Sequence, residues 1–359
     1  MLAILIAAAL AEPPPAEAPA VTDWGFEDHL APLTLRDGEP LHIASDRCAD
    51  CHAQQHADWA ASRHRSAWTN DVFQTGYLVE QKDFCVYCHA PLAEQTAEVL
   101  ANRDWYTAQH PRINAPLPDK LPEPHAAEGV SCATCHWRNG RLVGPGNGTG
   151  AAHPVASDPS LQESSFCAGC HEFYMPEGHG GVISFTDVPM QHTFTEWQNW
   201  SAQTGEERTC QSCHMPDGRH VFRGAHDVTF LRSSVSVDAW RAGGAVVFCL
   251  ESVDVGHHLP TGDLFRHLTL EVRDADGWHT IHRIGRLFAL VLDPETGEIS
   301  KQLSADTSLR PGEPVEVITS SASAWRLRYH YASAEDEVRG LLPRDALIVT
   351  LLEGVLEEE

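Results

Sequence analysis

Alternation of apolar and polar residues is concentrated in the last third of the chain. It marks the runs Ser234–Asp238, Ala245–Leu250, His267–Val272, Val315–Ile318 and Arg326–Tyr329, with the period of half-buried strands. Turn residues separate them: Gly243-Gly244, Asp274 to Gly277, Asp293 to Gly297 and Arg310-Pro311-Gly312. Short strands at this spacing predict an antiparallel β-sandwich over residues 231–359. Ala346–Leu352 is its closing strand, and Glu357–Glu359 an acidic tail.

Residues 41–230 carry little of this pattern. Cys51–Trp68 lacks Gly and Pro and reads as a helix, and a second is expected over Thr193–Thr204. Elsewhere Pro and Gly are frequent and strands are expected to be scarce. Residues 12–40 start Pro-rich and read as a linker. Residues 1–11 are an apolar run ending Ala9-Leu10-Ala11, the form of a short signal peptide, although no Lys or Arg precedes it. The run is too short to cross a bilayer, and no other stretch is long and apolar enough, so no membrane span is expected.

What the unpatterned stretch does carry is one short motif, five times: Cys48-Ala-Asp-Cys51-His52, Cys85-Val-Tyr-Cys88-His89, Cys132-Ala-Thr-Cys135-His136, Cys167-Ala-Gly-Cys170-His171 and Cys210-Gln-Ser-Cys213-His214. C-x-x-C-H is the attachment signature of a c-type haem. The two thiols add to the two vinyl groups of one haem, and the adjacent His coordinates its iron. Zinc would need paired C-x-x-C units closing one tetrahedral site, with no need of His after each. Disulfides within such close pairs would staple very little chain. Five covalent haems c are therefore expected, held by Cys48, Cys51, Cys85, Cys88, Cys132, Cys135, Cys167, Cys170, Cys210 and Cys213. His52, His89, His136, His171 and His214 are the proximal ligands. The eleventh cysteine, Cys249, lies in an apolar strand and reads as a buried thiol.

Five haems in fewer than about 200 residues leave too little chain for a separate side-chain core around each. Residues 41–230 are thus expected to be an α/irregular pentahaem domain whose core is the haems themselves. Since haem is attached to such motifs across the energy-transducing membrane, export to the periplasm or the cell exterior is expected. The formal charge of −25 sets the surface against nucleic acid. It suits cationic partners, and equally a well-solvated surface.

A low-spin haem needs a second axial ligand, usually His or Met, and seventeen of the 22 histidines lie outside the motifs. His56 would share a helical face with His52, so it cannot reach the opposite face of that iron and reads as a surface residue. His64, about 18 Å along the expected helix at 1.5 Å per residue, can serve only a neighbouring haem. His125, seven residues before the third motif, is a further candidate. Of His220 and His226, after the last motif, His226 is favoured.

Cys48-x-x-Cys-His with Trp59-Ala-Ala-Ser-Arg-His64, Glu128-Gly-Val-Ser-Cys132 and Cys210-Gln-Ser-Cys-His-Met-Pro216 resemble haem units of multihaem cytochromes c. The group is the one typified by the tetrahaem electron carrier of ammonia oxidisers, related to hydroxylamine oxidoreductase. Gly256-His257-His-Leu-Pro-Thr-Gly262 is similar to an element found where such cytochromes carry an added C-terminal β-domain. The resemblance covers about residues 45–265. It implies that His64, His153 and His257 are distal ligands, His257 clamping the β-domain onto the haems.

Two functions stay open. One is a carrier moving electrons through closely packed, mostly bis-His haems between redox proteins such as quinol-linked or periplasmic cytochromes. The other is an oxidoreductase acting on a small nitrogen or sulfur compound at one five-coordinate haem. The chain has no C-x-x-C-K motif and only three lysines (Lys82, Lys120, Lys301), which favours the carrier. A homo-oligomer or filament, with a ligand supplied by a neighbouring chain, is left open by the sequence.

Overall fold

The computed structural model describes residues 44–92 apart from 81–82, residue 95, residues 127–177 apart from 139, 147 and 149–152, residues 184–333 apart from 293 and 295–298, and residues 342–356. The expected signal peptide and linker, His125 and the acidic tail lie outside the described residues.

The C-terminal third is β-rich and antiparallel. One sheet has five strands in the order β10-β9-β8-β12-β13, the other three in the order β11-β7-β6. These are β6 (Val235–Ala242), β7 (Ala245–Ser252), β8 (His267–Asp274), β9 (Gly277–Leu292), β10 (Ile299–Asp306), β11 (Val315–Thr319), β12 (Ala324–His330) and β13 (Ile348–Val355). Alternate residues of both sheets meet in one cluster: Val246, Phe248 and Leu250 of β7, Leu268, Leu270 and Val272 of β8, and Leu327 of β12, all fully buried. Period-two patterning puts these on one face of each strand. Cys249 falls between them, on the other face of β7, opposite Asp238 and Glu316. It is only partly buried, so the expected buried thiol is corrected by its register.

The sequence pattern passed over β9 and β10. β9 pairs with β8 up to Gly285 and with β10 from Arg286 onward. Gly285 sits at φ +141°, and a Cβ there would lie 3.0 Å from the Arg266 carbonyl oxygen. The strand thus changes partner at a residue that reads as a breaker. Arg286, just beyond, donates to the Pro189 and Met190 carbonyls at 3.0 and 2.7 Å and ties the β-rich region to the rest.

Residues 44–230 are built from short helices joined by loops. They include α1 (Asp46–Ala49), α2 (Ala53–Ala60), α3 (Asp71–Glu80), α4 (Asp83–His89), α5 (Cys132–His136), α6 (Ser165–His171), α7 (Thr193–Thr204) and α8 (Cys210–His214). α7 covers the predicted residues. The helix expected over Cys51–Trp68 ends at Ala60, and residues 61–69 form turns. Tertiary contacts override propensity there: Val130 N–H donates to the His64 carbonyl at 2.9 Å. Gly129 (φ +61°) has no room for a side chain, since a Cβ would come 2.5 Å from that same oxygen. His64 therefore stands outside any helix. A small sheet of β1 (Trp137–Arg138), β2 (Arg141–Gly144) and β3 (Ala156–Ser157) and a ribbon of β4 (Glu172–Glu177) and β5 (Ser184–His192) add more strand than the composition suggested.

Apolar clusters among the described residues of this region are small. The largest joins Trp68, Tyr77, Val86 and Ala90. The space between the helices is instead a cavity of about 2500 Å³, lined by residues of all five C-x-x-C-H motifs.

Candidate haem-iron sites

Four of the motifs sit at helix ends in the same way. α4, α5, α6 and α8 each finish on the motif histidine: His89, His136, His171 and His214. Residues three apart share a helical face, so one turn presents both thiols to the cavity and the next residue turns its imidazole in. The hydroxyl of Thr209 caps α8, accepting from Ser212 N–H at 3.2 Å. Ser45 and Ser164 hydroxyls accept from Cys132 N–H and Cys210 N–H at 3.3 and 3.0 Å. These bonds fix each motif to a neighbouring one. The first motif turns between α1 and α2.

Four motif imidazoles each face a second imidazole. Ring centres are 6.2 Å apart for His52 and His153, 6.3 Å for His64 and His171, 6.1 Å for His136 and His220, and 6.1 Å for His214 and His257. A metal–imidazole bond of about 2.0–2.1 Å, with about 1.1 Å more to the ring centre, puts two rings sharing one ion about 6.3 Å apart. The donor sets therefore fit one iron between each pair. About 500 Å³ of cavity per motif is of the size that takes one ligand of a few dozen atoms.

The ring protons are placed to match. His89, His136 and His257 point Nδ1 at the carbonyls of Ala67, Val143 and His258, at 2.8, 2.9 and 2.8 Å. His214 Nδ1 does the same to the Arg223 carbonyl, and His220 Nδ1 to Gly218 at 3.1 Å. A carbonyl can only accept, so Nδ1 carries the proton and Nε2 keeps its lone pair for a metal. Burial lowers the pKa of His64 to about 3 and of His89 and His257 to about 4, so these rings are neutral at pH 7.

Supporting side chains hold the second imidazole of two pairs. Asp58, on α2, is buried. It accepts from Arg219 Nε and Nη2 at 2.5 Å each, from Gln54 Nε2 at 2.9 Å and from His220 N–H at 3.3 Å. The Arg219 hydrogen bonds depress its pKa to about 2. Glu196 of α7 accepts from His258 N–H at 3.1 Å and Thr261 Oγ1 at 2.6 Å, fixing the loop that bears His257. Gly256 in that loop lies on Trp200, whose ring a Cβ would meet at 2.7 Å.

His226 is placed elsewhere. It lies flat on Tyr331 with ring centres 4.2 Å apart and accepts from Arg63 Nη2 at 3.0 Å. It faces no motif histidine, and His220 occupies the position opposite His136. What distinguishes the two is the Asp58–Arg219 contact across 161 residues, which no local pattern reveals. His56 Nε2 donates to Asp46 Oδ1 at 3.1 Å, and no motif ring faces it among the described residues. His89 stacks on Phe73 at 3.6 Å. No imidazole stands opposite His89 among the described residues.

The motif thiols also meet across motifs. Cys48 comes close to Cys132, Cys88 to Cys170 and Cys167 to Cys210, while Cys135 and Cys170 act on each other through space.

No protein-family model matches the chain. Over 157 residues it is 29% identical to the C-type polyheme cytochrome OmcB in two strains of Geobacter sulfurreducens, a match covering 42% of this chain and 20% of OmcB. The matched chain thus spans about a fifth of those relatives' length. Its structure superposes on the crystal structure of a penta-heme cytochrome c552 from Thermochromatium tepidum with a TM-score of 0.62. The overlap covers 87% of this chain and 97% of that one at 20% identity. The fold is that of a multihaem cytochrome c. Residues 41–230 are about half of the chain, so an 87% overlap reaches well into the β-rich region of this multihaem cytochrome fold.

Proposed function

We propose that the chain is a periplasmic or extracellular pentahaem c-type cytochrome that carries electrons between redox proteins. The observation that carries this is the set of four imidazole pairs 6.1–6.3 Å apart, each with one member in a C-x-x-C-H motif. Haem iron supplies one-electron redox chemistry. The chain's part is to hold the irons, tune them and shield them, through axial ligand, burial and nearby charge. On this reading His153, His64, His220 and His257 are second ligands to the haems of the first, fourth, third and fifth motifs. Residues 41–230 form a domain with a haem-filled core, and residues 231–359 a β-sandwich that lends it His257.

The thiol contacts supply an order. Cys48 against Cys132 makes haems one and three neighbours, and Cys135 against Cys170 joins three to four. Cys88 against Cys170 and Cys167 against Cys210 set haems two and five both beside four. These approaches support a branched array with the fourth haem as its junction. The motif resemblance to the hydroxylamine oxidoreductase-related group agrees with this reading but rests on the motifs alone.

A second reading, an oxidoreductase with one five-coordinate haem, is favoured by His89, which has no facing imidazole among the described residues. One experiment tests both. Mature protein should carry the mass of five haems, and at least four should be low-spin in the oxidised state. If carbon monoxide binds to about one haem in five after reduction, the second reading gains. A protein without bound haem ends both.

A further inference from the structure

Arg266 sits between β7 and β8 and reaches the wall of the cavity. It hydrogen-bonds the Tyr329 side chain and lies 5.8 Å from the centre of the Tyr331 ring. Its Nη1 is buried and has no hydrogen-bond partner among the described residues. Arg63 arrives at the same wall from the other region, and its Nη2 donates to His226 Nδ1 at 3.0 Å. The two guanidiniums are near enough to repel each other through space. Neither is ion-paired to a carboxylate among the described residues. Asp71 and Asp263 influence Arg63 and Arg266 respectively only through space.

The hydrogen-bonding inventory is one-sided. His226 Nδ1 accepts from Arg63, so its proton is on Nε2, which is left as a donor. Tyr329 takes the Arg266 hydrogen bond on its oxygen, which leaves its own hydroxyl proton free to donate. Arg63 is exposed at the cavity rim and Arg266 keeps a buried Nη1 without a partner among the described residues, which is costly unless an anion approaches. A planar guanidinium matches a carboxylate or other oxyanion with two parallel hydrogen bonds.

We propose that this wall binds one oxyanion, held by Arg63 and Arg266 with His226 and Tyr329 as further donors. The site rests on the haem-bearing reading, because its open side is the cavity. The same chemistry has two sources: a propionate of a resident haem, or a free small oxyanion.

The test uses the mature holoprotein with five haems counted by mass. Formate and sulfate are titrated in by calorimetry, and the five midpoint potentials are measured, for the native chain and for Arg266→Gln and Arg63→Gln. A free anion predicts one-to-one binding that weakens at least about tenfold in each variant. A propionate predicts no binding of either probe, with one of the five midpoints lowered in each variant, since removing a nearby positive charge favours the oxidised iron. Arg273→Gln, on β8, should change neither. Unaltered potentials together with no anion binding in native protein would overturn the proposal. Should Arg266→Gln lose haem, Arg63→Gln and Arg266→Lys carry the same comparison. A protein lacking haem before any titration fails the electron-carrier reading, whereas five haems with no effect fail only the oxyanion site.

Discussion

The two regions of this molecule are held together by different material. In the β-rich region nineteen buried residues form one cluster. In residues 44–230 no cluster among the described residues exceeds four buried members, and the middle is a cavity of about 2500 Å³. One region folds around its own side chains. The other arranges short helices around a space lined by nine of the ten motif thiols, by the five motif imidazoles and by the four that face them. A chain with few apolar contacts can be well determined when covalent attachments supply the interior, and such a region depends on those attachments for its stability.

That contrast can be broken most directly by withholding haem. Protein made in a host without cytochrome maturation should lose hydrogen-exchange protection across residues 44–230 and keep it in β7, β8 and β12. Equal protection in both regions would erase the distinction. Next in size, Leu270→Ala should destabilise the β-rich region by about 2–5 kcal/mol, the usual cost of truncating a fully buried leucine. Thermal unfolding followed in the far ultraviolet measures it, and the visible spectrum at 25 °C should not move.

A finer break concerns single ligands. His257→Ala and His220→Ala should each turn one haem in five high-spin, read by electron paramagnetic resonance. His226→Ala should leave the count of low-spin haems as it was. If His226→Ala removes one and His220→Ala does not, the third haem takes its ligand from His226 after all.

The smallest effect concerns Asp58. Its carboxyl is held down to about 2 by Arg219, from an ordinary 3.8. A depressed carboxylate adds stability that is complete above its unfolded pKa and vanishes as pH falls through the folded one. The low-spin signal of the third haem should therefore persist to about pH 4 and weaken between there and pH 2. Asp58→Asn should weaken it already at neutral pH and flatten that acid limb. An acid limb identical to that of the native chain would remove Asp58 from the support of His220.

What could be read from the sequence follows the same division. β6, β7, β8, β11, β12 and β13 were visible because each buries one face in a side-chain core, and period two records that. β9 and β10 were not, because β9 changes partners at Gly285 and mixes two pairings in one strand. In the other region the motifs stood out because attachment chemistry fixes residue types at fixed spacing. The second imidazoles did not, since a distal histidine needs only to arrive at the right point in space. His64 was singled out by its distance along the chain from His52, and His153 and His257 by resemblance. His226 was preferred to His220 because the Asp58–Arg219 bond lies far away along the chain. The end of α2 at Ala60 was equally hidden, being set by Gly129 and Val130.

His257 rides on the loop between β7 and β8, pinned by Glu196 and facing His214. An iron gripped between those two rings would make the C-terminal region part of the circuit as well as part of the casing. Any load, cleavage or partner that eased this region off its seat would be reported as a change of spin state and of driving force at one haem of the relay.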